Sequence, residues 1–166
     1  ELKRLEHPAP LRDLDIRELP EKPGMADLDG LLAPLISGRD AGLMSEAGCP
    51  SVADPGALLV RRAHEMNIAV VPLVGPSSLL LALMASGLNG QSFAFHGYLP
   101  VDEEARNKRI RELETESARH ARTQLFIETP YRNGRMFEAL RSSCRPDTRL
   151  CVACDLTLES ESITTR

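Results

Sequence analysis

The most constraining feature of this chain is a junction that it repeats. An apolar run breaks on small, turn-forming residues and gives way to a helix. Ile68 to Val74 is rich in β-branched residues and reads as a buried strand. It meets Gly75-Pro76-Ser77-Ser78, where a helix begins that Gly87 ends. Ala41-Gly-Leu-Met-Ser45 reads as another strand, leading into a loop over Glu46 to Pro55. Asp54-Pro55 then predicts a helix start, because Asp accepts free N–H groups and Pro suits the first helical position. Leu59, Ala63 and Met66 mark one face of that helix.

The alternation continues downstream. Leu28 to Ile36 precedes it as a short helix, and Phe93 to Phe95 is a short strand. Gly97-Tyr98-Leu99-Pro100 reads as a linker. Asp102 to Arg122 predicts a long polar helix, with Glu104 and Lys108 at supportive spacing. Gln124 to Glu128 predicts a strand, Asn133 to Ser143 a helix with Met136, Phe137 and Leu140 as its apolar stripe, and Leu150 to Cys154 a last strand. Strands alternating with helices imply an α/β protein. The Tyr98–Pro100 turn divides an N-terminal α/β domain, residues 1–97, from a C-terminal one, residues 101–166.

Charge narrows the function classes. The net charge is −4, so nucleic-acid binding would rest on local basic clusters. Residues 1–100 carry 8 lysines and arginines against 12 acids, whereas residues 101–166 carry 12 against 12. The longest apolar stretch, Ser77 to Leu88, is too short to span a bilayer, and no signal-peptide pattern opens the chain. The expectation is a cytoplasmic protein. Cys151 and Cys154 form a C-x-x-C, but on a strand they point to opposite faces, so ordinary thiols are expected rather than a metal site.

Two segments have the chemistry of a ligand site. Ser45-Glu-Ala-Gly-Cys-Pro-Ser-Val-Ala-Asp-Pro-Gly56 joins a strand to a helix and is built of small residues. Such a loop lets a ligand approach backbone N–H groups at the carboxyl end of a strand. It reads equally as a tight connection. Val74-Gly-Pro-Ser-Ser-Leu79 has the same position after the next run, and Ser77 also suits a plain helix cap.

Five elements in order carry a resemblance. They are Ser45–Gly56, Val70-Val-Pro-Leu-Val-Gly-Pro-Ser-Ser78, Ala85-Ser-Gly-Leu88, Phe95-His-Gly-Tyr-Leu-Pro100 and Phe126-Ile-Glu-Thr-Pro-Tyr-Arg132. Together they resemble the tetrapyrrole methylase superfamily, nearest to its ribosomal RNA small-subunit 2′-O-methyltransferase branch. That branch shows an Asp-Ala-Gly-Thr-Pro loop running into Ser-Asp-Pro-Gly, a Pro-Gly-Pro-Ser turn, an Ala-Ser-Gly-Leu helix end, a Gly-Phe-Leu-Pro linker and a Glu-Ser-Pro-His-Arg element. Here Glu46, Cys49 and Ala53 replace Asp, Thr and Ser, and Thr129 and Tyr131 replace Ser and His.

The resemblance implies two α/β domains with S-adenosylmethionine in the cleft between them, a homodimer, and no metal. It implies that Gly48, Cys49, Pro50, Ser51 and Val52 approach the cofactor, with Pro76, Ser77 and Ser78 beside them. From the second domain it implies Ile127, Glu128, Thr129 and Pro130, and Leu156 and Thr157 within Asp155–Leu158. Its substrate would be ribosomal RNA or the small ribosomal subunit. The same fold also serves methylases of tetrapyrroles and other small substrates, and a non-catalytic relative would share these motifs. No residue is assigned as the catalytic base; Glu46, Asp54 and Glu128 are the carboxylates in the matched loops.

This chain departs from the branch on its RNA side. Val101-Asp-Glu-Glu follows the linker where the branch has bases, which arrive later at Arg106, Lys108, Arg109 and Arg111 among interleaved acids. Asp155-Leu-Thr-Leu-Glu-Ser-Glu161 lacks the Lys and His of the branch's Glu-Leu-Thr-Lys-Leu-His-Glu run. The family also begins with a strand and a cofactor loop upstream of the first matched element. The expectation is a chain trimmed at both ends, each domain incomplete.

Overall fold

The computed structural model describes residues 10–45 and 48–166. They fall into two compact units, one running through Pro76 and the other from Ser77 to Arg166.

The first unit is helical. Helix α1 spans Met25–Ile36, and Gly24 caps it by donating its N–H to Asp27 Oδ2 at 2.8 Å. Leu28 and Leu32, one turn apart on α1, are buried. Helix α2, Ala57–Glu65, brings Ala63 to that small core. Arg62 of α2 fastens the two helices by reaching Asp29 at 2.7 Å, and it also meets Glu65 at 3.1 Å.

Two sequence expectations are corrected here. Neither Ala41–Ser45 nor Ile68–Val74 forms a strand. A strand exists through its ladder, and the described residues offer neither segment a partner. Pro72 also lacks the N–H that a central ladder position needs. The apolar run therefore stands open: Val71 is 75% exposed and Leu73 89%. The second correction concerns α2. It starts at Ala57 with Gly56 as its N-cap, not at Asp54-Pro55. Ser51 N–H donates to Pro55 O at 3.2 Å, which holds Pro55 in the preceding turn.

The second unit is mixed. Helix α3, Ser78–Ser86, begins after Ser77 and ends at Gly87, whose φ of +68° is the left-handed stop that glycine permits. Strand β1, Phe93–Tyr98, helix α4, Glu103–His120, and strand β2, Thr123–Ile127, form a βαβ unit: β1 and β2 pair in parallel and α4 is the crossover between them. Phe93 pairs with Thr123 and Phe95 with Leu125; the register slips before Tyr98 meets Ile127. Gly97, at φ +62°, lies in that slip. Gly97 and Tyr98, expected in a linker, thus extend β1.

Helix α4 starts where sequence placed it, because Asp102 Oδ1 accepts the Ala105 N–H at 2.9 Å. Helix α5, Asn133–Ser143, packs on α4. Leu99, Ile110, Leu113, Met136, Ala139 and Leu140 form the core, with Phe126, Cys144 and Leu150 against it. Phe137, expected in the stripe, is 56% exposed. It lies off the face shared by positions 136, 139 and 140, and the smaller Ala139 takes the buried place. Strands β3, Cys151–Cys154, and β4, Ser162–Thr165, form an antiparallel hairpin that α3 covers; Thr165 donates its hydroxyl to Ser86 O at 2.8 Å. Along β3 burial alternates, with Cys151 half-buried and Cys154 exposed. The mixture of helices and strands is that of an α/β chain.

No helix is long and apolar enough to cross a membrane among the described residues.

Candidate functional site

From Gly48 to Gly56 the small-residue loop folds as a tight, twisted turn. Gly48, Ser51, Ala53 and Gly56 all have positive φ, at +80°, +68°, +59° and +135°. Two of these are not glycine, so the loop holds local strain of the kind found at ligand-binding turns. Gly56 is required by space as well as by φ. A Cβ there would stand 2.5 Å from Ser51 Oγ and 2.8 Å from Leu43 Cδ2. Val52 N–H donates to Cys49 O at 3.1 Å and closes the turn. The N–H groups of Gly48 and Cys49 find no acceptor among the described residues.

The loop meets the second predicted segment. Cys49 donates its thiol to Pro76 O at 3.7 Å. Twenty-seven residues apart in sequence, the two turns touch. Ser77 and Ser78 follow at the head of α3, and Ser77 makes no side-chain cap bond.

The three carboxylates of the matched loops stand differently. Glu46 lies outside the described residues. Asp54 is half-buried beside Gly48 and caps no helix, which corrects its expected role. Glu128 is fully engaged. Its Oε1 accepts from Thr129 N–H at 2.8 Å and from the Thr129 hydroxyl at 3.4 Å, while Oε2 lies 3.0 Å from Arg132 Nη2. The Arg132 contact is an ion pair without hydrogen-bond alignment, so Oε2 itself accepts no hydrogen bond. The two side chains are only 7% and 17% exposed. Arg132 also donates to Leu99 O at 3.1 Å. A carboxylate held this way orients its neighbours. Ile127 ends β2, and Pro130 opens the single turn Pro130–Arg132 that carries the chain into α5.

Leu156 and Thr157 sit in the β3–β4 connection. Asp155 and Thr157 have φ of +52° and +71°. Thr157 N–H donates to Glu161 Oε2, and Ser160 Oγ to Asp155 Oδ2, at 2.8 and 2.9 Å. The acids that stand in the altered segment therefore close this turn on itself. No hydrogen bond or ion pair among the described residues joins it to Ile127–Pro130.

Of the basic run on α4, Arg106 is buried and donates to Val101 O at 2.8 Å. Arg109 meets Glu112 and Glu116 at 3.1 and 3.4 Å and His96 Nδ1 at 3.3 Å. His96 Nε2 in turn lies 2.6 Å from Gln124 Oε1, which makes His96 a cross-strand fastener between β1 and β2. Sequence reasoning passed over Arg135, which lines a cavity with Arg106 and Arg132. Its signal was its place three residues after Arg132, one turn on along α5. Among the described residues no group of three or more His, Cys, Asp or Glu side chains is gathered as a metal would need.

No family model matches the chain. Individual proteins do. The chain is 35% identical over 133 residues to the ribosomal RNA small subunit methyltransferase I of Vibrio cholerae, covering 80% of this chain and 45% of that protein. It is 37% identical over 135 residues to the protein of the same name in Mesorhizobium japonicum, covering 81% and 45%. With that of Xylella fastidiosa it shares 43% identity over 102 residues, covering 61% and 36%. The chain thus spans less than half the length of these relatives. These relatives carry the name of the branch that the five ordered motifs resemble.

Proposed function

We propose that this chain is part of an S-adenosylmethionine-dependent methyltransferase that acts on the ribose 2′-hydroxyl of small-subunit ribosomal RNA. The observation that carries the reading is similarity to relatives of that name over four fifths of the chain. The contact between Cys49 and Pro76 supports it, since it joins the two turns that the family pattern assigns to one ligand.

The residues fit the cofactor. Small side chains and positive φ let a ligand lie against the loop backbone, and the N–H groups of Gly48 and Cys49, which find no acceptor among the described residues, suit a ligand rich in acceptors. Backbone groups of Gly48, Cys49, Pro50, Ser51 and Val52, with Pro76, would hold one part of it. Ser77, Ser78, Ile127, Glu128, Thr129, Pro130, Leu156 and Thr157 would hold the rest. When bound, S-adenosylmethionine supplies an electrophilic methyl group. The protein's own share is alignment and exclusion of water, because such a displacement needs little covalent help from side chains. Glu128, through Arg132 and Thr129, fixes the turn at the end of β2 and acts as a positioning residue. The family arrangement of two α/β domains around a cleft, its homodimer, and a place in the cytoplasm belong to the same reading.

Isothermal titration separates the readings. Saturable heat with S-adenosylmethionine supports an enzyme, and no heat at millimolar ligand removes it. Tight binding of a tetrapyrrole, with no affinity for small ribosomal subunits, would move the acceptor to a small molecule.

A further inference from the structure

The cavity at the head of α5 carries a charge that the protein does not balance. Arg106, Arg132 and Arg135 line it, against the single carboxylate of Glu128, which is already paired to Arg132. Arg106 is 6% exposed, has no carboxylate within 4.0 Å among the described residues, and its Nε has no hydrogen-bond partner. A guanidinium buried in that state is costly unless an anion answers it. Arg135, at the rim, is exposed and forms no ion pair among the described residues. The N-terminus of α5 opens here too, with no side-chain cap. Tyr131, 84% exposed, adds an aromatic face.

We propose that this cavity is a subsite for one backbone phosphodiester of the RNA substrate. The inference deepens the proposed function and rests on it. Three guanidinium groups around one acceptor match a phosphate, which arginine binds through paired N–H donors. An exposed aromatic ring beside them suits a neighbouring unstacked base. At about 240 Å³ the cavity is smaller than the roughly 300–1,000 Å³ that whole small-molecule ligands occupy, which favours one group of a larger chain. The carboxylate of the cofactor is the other oxyanion the same arginines could take.

The test is fluorescence anisotropy with a labelled single-stranded RNA of about twelve nucleotides, enough to fill one single-strand groove. The salt concentration is varied, and S-adenosylmethionine is titrated in parallel. Arg135→Ala is the informative variant because its side chain is exposed and bears no structural bond. Arg119→Ala, an exposed cation at the far end of α4, is the charge-matched control. Arg135→Ala should weaken RNA binding roughly tenfold and reduce the salt slope by about 0.7. It should leave cofactor binding alone, and Arg119→Ala should change neither. Equal RNA affinities for the two variants would overturn the subsite. So would a loss of cofactor affinity with RNA binding intact, which would give the cavity to the cofactor carboxylate. A wild-type chain that binds the cofactor but no RNA would overturn the subsite while leaving a methyltransferase of another acceptor.

Discussion

The thiol of Cys49 lies 3.7 Å from the carbonyl oxygen of Pro76, and through this contact the small-residue loop leans on the next turn of the chain. Gly56 lets the loop close. Its φ of +135° and the absence of a Cβ leave room for Ser51 Oγ and Leu43 Cδ2. Gly56→Ala should destabilise the first unit by about 1–3 kcal/mol. Thermal unfolding followed by circular dichroism measures it. An unchanged midpoint would show that the loop relaxes without cost.

Glu128 and Arg132 form the other local pin. Removing one partner leaves a largely buried charge alone, so Glu128→Ala should cost the second unit about 3 kcal/mol. Urea denaturation checks it. The double variant Glu128→Ala with Arg132→Met should recover part of the loss, because it leaves no orphaned charge.

Glu114 gives the second unit an acid-sensitive joint. The Thr148 hydroxyl donates to its Oε1, as does the Arg145 N–H at 2.8 Å, and the Arg145 side chain lies 3.7 Å from Oε2. These hold its carboxyl below the ordinary glutamate value of 4.5, led by the Thr148 bond and against burial, which pushes upward. A lowered folded-state pKa adds stability that is present above the unfolded value and is lost as pH falls through the folded one. The melting temperature should therefore fall below pH 4.5 more steeply for the wild type than for Glu114→Gln. Parallel curves would contradict this.

Cys144 packs against the core beside Glu114. Burial, and then the negative charge of Glu114, push its thiol above the ordinary range. Because the thiolate is the reactive form, Cys144 should be modified more slowly by iodoacetamide than the exposed Cys154. Mass spectrometry of a time course reads the order. Glu114→Gln should speed Cys144.

Several elements were legible because their signals are local. Asp102 announces α4 through one side-chain bond, Gly87 stops α3 through its φ, and Met136 and Leu140 mark the inner face of α5 by spacing. The misses involve partners that spacing cannot show. Ile68–Val74 has strand composition, yet a strand needs a neighbour, and Pro72 removes a donor. Asp54 has the form of a cap, but the turn held by Ser51 and Pro55 moves the helix start to Ala57, with Gly56 as its N-cap. In the candidate site, the loop and the turn were both visible in sequence. That Glu128 is tied down by Thr129 and Arg132, and that Arg106 is buried beside Arg135, depends on packing that brings β2, α4 and α5 together.

The proposed reaction transfers a methyl group to small-subunit RNA. The most direct test incubates the chain with methyl-labelled S-adenosylmethionine and small ribosomal subunits from a strain lacking the modification. Label should appear in the RNA at ribose 2′-oxygen, rise with time and be much reduced for Gly56→Ala. Cofactor binding without any label in the RNA would contradict it.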